Sequence, residues 1–143
     1  ALAEIARAAL APAFLVAMTS GPTFERAGDL LLVHAGLAPG VEVETFLAQS
    51  RFWSSGEHWA WIREPFLDWE FGWGADRSLV VVHGHTPAVT RRVEPDEFAR
   101  AADRVGTHRR LSLDAGAAYA LPQVGWAEFG PDQYRVGLAH DKS

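Results

Sequence analysis

The chain has 143 residues, 13 basic and 18 acidic, for a net charge of −5, and 48% of it is hydrophobic. That is one domain or part of one, with apolar residues enough for a core and no basic excess for non-specific nucleic-acid binding. No cysteine is present, which excludes disulfides and thiolate zinc sites and makes a cytoplasmic protein the expectation.

The first residue is Ala1 rather than Met, and the expectation is a processed or partial chain. No stretch reaches the roughly 18 apolar residues a membrane span requires. Residues 8–18, "AALAPAFLVAM", have the composition of a signal-peptide core, but Glu4 and Pro12 favour an Ala-rich helix of a larger domain. Residues 2–10 place Ala, Leu and Ile at helical spacing, and Pro12 is expected to end or kink that helix. "TSGPTFERAGD" at 19–29 reads as polar and turn-rich. Leu30 to Val33 reads as a short buried strand, stopped by "HAGLAPG". Residues 42–49 suit a short helix.

Residues 52–74 hold five of the six tryptophans and no clean period. They read as a long, aromatic-packed connection with short helical turns, of the kind that is commonly functional. Leu79 to Val82 is a second buried strand, ending in "HGHTP". Pro95 to Val105 reads as a helix, with Pro95 in its first turn and Gly106 at its end. Leu111 to Leu113 is a third strand, ending in "DAGAAY". Residues 124–129 and 133–138 alternate around "GPD" and form a hairpin. This order predicts an α/β chain with a mixed sheet.

Three strands thus end in small-residue loops holding a polar group: "LLLVHAG", "LVVVHGHT" and "LSLDAG". Ligands of open α/β sheets bind beyond the carboxyl ends of strands. Neutral imidazole suits Zn, Mn, Fe, Ni or Cu, and His34 and His85 lie on different strands, able to face one centre. His83 precedes His85 by two residues, with Gly84 breaking the strand alternation between them. Arg63, in "WIREPF", presents a guanidinium fork suited to phosphate; a carboxylate partner is the alternative. Taken alone, these residues indicate a metal or phosphate site in an α/β domain.

"VHAGLAPG", "WIREPFL", "VVVHGHTP" and "LDAGAAY", in that order over residues 32–119, resemble the later motifs of calcineurin-like metallophosphoesterases. The nearest branch is the bacterial phosphoprotein-phosphatase type, with its serine/threonine phosphatases and symmetrical diadenosine-tetraphosphate hydrolases. The resemblance implies a four-layer α+β sandwich of two mixed sheets with helices outside. It implies two divalent metals per complete domain, Mn first with Fe or Zn as alternatives. A two-metal site clamps phosphate and activates water. On this resemblance His34 and His85 are ligands of one metal and Arg63 contacts substrate phosphate. Tyr119 falls near a substrate-side aromatic, and His83 is a supporting residue behind the ligands.

The family's earlier motifs, Asp-x-His-Gly, Gly-Asp-x-x-Asp-Arg-Gly and Gly-Asn-His-Glu, are absent. There is no Asn anywhere, so the chain holds no asparagine ligand. "YALPQ" at 119–123 also departs from relatives that carry glycines after the tyrosine. The chain therefore reads as a single-domain fragment over 1–143, the C-terminal half of a metal-dependent phosphoric ester hydrolase acting on a phosphoprotein or a dinucleoside polyphosphate. Alone it is expected to be inactive, because catalytic zinc sites typically use three protein ligands. Half a sandwich would leave strand edges and an apolar face open, so the missing half or self-association is the expected partner. Nucleic acid and membrane are not. The competing readings are a non-catalytic binding or regulatory module of the same fold, and an unrelated α/β domain.

Overall fold

The computed structural model describes residues 12–52 and 56–140; the helix expected over 2–10 lies outside them. In chain order the elements are α1 (Pro12–Ser20), β1 (Phe24–Ala27), β2 (Leu30–Val33), α2 (Val43–Leu47) and α3 (Glu64–Leu67). Then follow β3 (Val80–His83), α4 (Pro95–Ala102), β4 (Asp103–Arg104), α5 (Val105–His108), β5 (Arg110–Ser112), a 3₁₀ turn (Ala117–Tyr119), β6 (Gln123–Phe129) and β7 (Tyr134–His140). No helix among the described residues is long and apolar enough to cross a membrane.

The sheet is mixed, as the sequence predicts. Its order is β1-β2-β3-β5-β4, and β6-β7 form a separate hairpin. β2, β3 and β5 run parallel, while β1 and β4 pair antiparallel at the edges. The uninterrupted apolar run of β3 is buried throughout, as cover on both faces of a parallel sheet requires; on β2 the face of Leu31 and Val33 is buried and Leu32 is exposed.

Cross-strand partners share a face, which sorts the core. Leu31 opposite Val81, with Val33, meets α2 and the aromatic connection through Phe46, Trp59, Ile62, Phe66 and Trp73. Val82 opposite Leu111 meets α4 and the hairpin through Phe98, Ala102 and Leu138. Phe66 and Phe98 are completely buried at the two centres, each worth about 1.5–3 kcal/mol of burial.

Helix α4 carries the expected signals. Pro95 opens it, Asp96 and Glu97 occupy its first turn and Arg100 its last, so its charges complement the helix dipole. Phe98 and Ala102, four apart, form its buried stripe. The hairpin lies close over it. A Cβ on Gly125 would sit 2.4 Å from the Phe98 ring and 2.6 Å from the Leu113 oxygen, so β6 needs glycine there. Buried Gln123 donates to the carbonyls of Arg91 (2.9 Å) and Ala115 (2.8 Å), satisfying a polar group that would otherwise be costly inside.

Several boundaries differ from the sequence reading. Residues 24–27, read as turn, form edge strand β1, paired to β2 in register Phe24 opposite Val33. All four are exposed, so they lack the apolar alternation that marks a half-buried strand. Pro12 is the first described residue of α1, a position proline tolerates because no intrahelical donor is lost; the helix it was expected to end or kink lies outside the described residues. The 95–105 helix stops at Ala102, because Asp103 and Arg104 pair with Leu111 and Arg110; Gly106 then lies within α5.

The cover is incomplete at one place. Leu32 is 41% exposed although its neighbour Val82 is 3% exposed. The second face is therefore open at Leu32, toward the carboxyl end of β2.

His83 ends β3 within the first core, buried and edge-on to Phe66 with centroids 4.9 Å apart. Its Nδ1 is bonded to the Gly84 carbonyl (3.0 Å), and its Nε2 has no partner among the described residues. Burial holds its pKa down from 6.5 to about 4. A depressed histidine makes its full contribution above the unfolded pKa and loses it as pH falls. Unfolding free energy should thus drop between pH 6.5 and 4, by up to about 3 kcal/mol. Denaturant titrations across that window, compared with His83→Leu, should show this component only in the wild type.

Candidate functional site

The site begins where β2 and β3 run out. Their parallel pairing continues one step past both strands, the Gly84 N–H donating to the His34 carbonyl at 2.8 Å. Simple alternation would now separate the histidines, with His34 on one face and His83 and His85 on the other. The backbone prevents this. Thr86 N–H donates to the Gly84 carbonyl (2.7 Å), closing a γ-turn in which His85 has φ of 63°. That turn is rare and strained, at a cost of about 1–3 kcal/mol for a non-glycine residue. It carries the His85 ring to His34, with centroids 5.3 Å apart and planes tilted by 58°.

The aromatic connection delivers the third group. The N–H of Ala35, next to His34, donates to the Trp59 carbonyl (2.9 Å). Buried His58 accepts from Ala60 N–H (3.1 Å) and stacks on Trp61 at 4.8 Å and 22°. This pins residues 58–62 over the end of β2. Arg63 then caps α3, with Pro65 in the helix's first turn, and its Nε donates to His85 Nε2 at 3.3 Å.

Electrostatics follow from these contacts. Burial, then the Arg63 guanidinium, then His34 lower the His85 pKa; a bond to the Trp61 backbone and the Asp114 carboxylate oppose them. His85 is therefore neutral near pH 7, the form that offers a lone pair. Asp114 follows β5 and lies with His34 and His85 on the wall of a cavity of about 620 Å³. Leu32, Val82 and Leu113 make its apolar floor. Asp114 also accepts the Gly116 N–H at 2.8 Å, which fixes the loop after β5.

Two imidazoles from adjacent strands suit a first-row metal, yet no group of three or more His, Cys, Asp or Glu that could hold an ion is found among the described residues. His34 and His85 would be its ligands and Arg63 stands beside them.

No family model, characterised protein or solved structure matches the chain. A functional reading thus rests on the motifs and on the geometry they produce.

Of the residues singled out in the sequence, His34, His85 and Arg63 are brought together. His83 lines the same cavity but makes no hydrogen bond to either. Tyr119, at the end of the 3₁₀ turn, is 59% exposed and does not line the cavity. Asp114 adds a carboxylate beyond the residues singled out in the sequence, although "LSLDAG" repeats the strand-then-polar-residue pattern of the other two motifs. The Trp61 backbone contact has no sequence signal, since any residue supplies a carbonyl.

Replacing Arg63 with Gln removes one of the groups that lower the His85 pKa. An NMR titration of His85 should show its midpoint rise toward 6.5 in Arg63→Gln. An unchanged midpoint would mean the guanidinium does not act on the ring.

Proposed function

We propose that this chain carries the metal-ligand pair and phosphate-binding arginine of a metal-dependent phosphoric ester hydrolase, related to the calcineurin-like metallophosphoesterases. The supporting observation is the meeting of His34, His85 and Arg63 at the ends of parallel strands. The mixed sheet would be one layer of a four-layer sandwich, and the open face beside Leu32 is where further layers would join. The complete site would use two divalent ions, Mn, Fe or Zn, which supply phosphate polarisation and an activated water.

The chain's own part is to bind and orient. Neutral His85 and His34 offer ring nitrogens from two directions. In the structure Arg63 occupies the His85 Nε2 lone pair; once that lone pair serves a cation, the guanidinium fork is left for a phosphate. Phosphoproteins and dinucleoside polyphosphates both present the phosphate this fork would hold. The three motifs that would complete the site are not in the 143 residues, so the chain by itself is inactive.

The second reading, a non-catalytic module of the same fold, is favoured by the absence of a third ligand among the described residues. It would bind a cation or phosphate group without turnover.

Hydrolysis of p-nitrophenyl phosphate with added Mn²⁺ separates these readings. The chain alone should not exceed the metal blank. Fused behind a segment bearing Asp-x-His-Gly, Gly-Asp-x-x-Asp-Arg-Gly and Gly-Asn-His-Glu, it should turn over. In that fusion Arg63→Ala should lower kcat by about 10²–10³, and His85→Ala should abolish turnover. A folded fusion that stays silent supports the non-catalytic reading; hydrolysis by the chain alone, lost in His85→Ala, contradicts the half-site.

A further inference from the structure

A second cavity, of about 740 Å³, opens beside the amino end of β3, and none of its lining residues belongs to the His34–His85 cavity. That volume lies in the range of small-molecule sites, which are mostly apolar with a few placed polar groups. Its wall is aromatic: Trp69, Phe71 and Trp73, with Leu79 behind them. Trp69 meets Phe71 edge-on at 4.9 Å, and Phe71 is 61% exposed. Both indole N–H groups are used internally, Trp69 on the Gly72 carbonyl (2.8 Å) and Trp73 on the His108 carbonyl (3.2 Å). The wall therefore offers ring faces and edges but no indole donor.

The charged lining groups are nearly all engaged. Arg26 pairs with Glu44 at 3.1 Å. Glu42 accepts from the Glu44 and Thr45 backbone at the start of α2. Asp76 accepts from the Ser78 N–H (3.1 Å) and hydroxyl (2.9 Å). Only the Arg77 guanidinium has no hydrogen-bond or ion-pair partner among the described residues. Its position is built rather than incidental. Residues 72, 74 and 77 all have positive φ, Arg77 at 60° without being glycine. A Cβ on Gly72 would lie 2.6 Å from the Arg77 carbonyl oxygen, so the loop closes tightly around it. Strained non-glycine backbone of this kind clusters at functional sites.

We propose that this cavity binds an aromatic monocarboxylate, its ring against Trp69 and Phe71 and its carboxylate on the Arg77 fork. The bidentate match of guanidinium and carboxylate supplies the polar anchor. A dianionic phosphate is disfavoured, because Glu42, Glu44 and Asp76 line the same space and repel a second negative charge. This site is independent of the phosphoesterase reading, and either could fail without the other.

Naphthalene-2-carboxylate and its carboxamide, titrated into the chain by ¹H–¹⁵N NMR and calorimetry, provide the test. The carboxylate should saturate and move the Trp69 and Trp73 indole N–H signals, with the amide at least about tenfold weaker. Arg77→Asn, which tolerates positive φ, should weaken the carboxylate about tenfold and leave the amide unchanged. Should that variant not fold, Phe71→Ser at an exposed position should weaken both ligands. Equal binding of carboxylate and amide, undiminished binding in the folded Arg77→Asn variant, no saturable binding, or shifts centred on His34 and His85 would each overturn the proposal.

Discussion

The γ-turn centred on His85 is the constraint on which the candidate site depends. Strand alternation places His34 and His85 on opposite faces of the sheet, and a single left-handed residue brings them back together. The strain is held by groups on either side. Gly84 is pinned to the His34 carbonyl, Thr86 to the Gly84 carbonyl, and the ring itself to Arg63 and the Trp61 backbone. A strained turn persists only where its surroundings over-determine it, and here those surroundings are a parallel strand pair and a docked loop.

The sheet and the aromatic connection therefore serve the same end from two directions. β2 and β3 bring two histidines to neighbouring strand ends because they pair in parallel, β3 buried on both faces and β2 on one. The connection fills the first core with Phe66 and Trp73 and, by the stacking of His58 on Trp61, carries Arg63 to the histidines. Face two is finished by α4 and the hairpin only in part, leaving Leu32 at the edge of the cavity that holds His34, His85 and Asp114. The exposed apolar floor and the histidine pair therefore share one cavity.

Much of this was legible in the chain. β2, β3, β5 and the hairpin declare themselves through apolar runs and alternation, and α4 through its proline, first-turn acids and Phe98–Ala102 stripe. The histidine pair was legible because each ends a strand beside glycine. Other features carry no local signal. β1 is a strand only because β2 offers it an edge, and its exposed Phe-Glu-Arg-Ala has no pattern to read. The positive φ of His85 follows from closure of the γ-turn against Gly84 rather than from propensity. Trp53 aside, which lies outside the described residues, the tryptophans proved to be mostly walls and anchors: Trp59 and Trp73 are buried, and Trp69 is half-buried. Tyr119, placed by resemblance to a substrate-side aromatic, sits on an exposed turn and does not line the cavity of the histidines.

The central claim is that His34 and His85 share one divalent cation. Paramagnetic broadening of the histidine ring signals by substoichiometric Mn²⁺ tests it most directly. His34 and His85 should broaden first and together, ahead of His58, His108 and His140, and His34→Ala should abolish the effect at His85. Broadening that follows exposure alone, or that persists at His85 without His34, would contradict it.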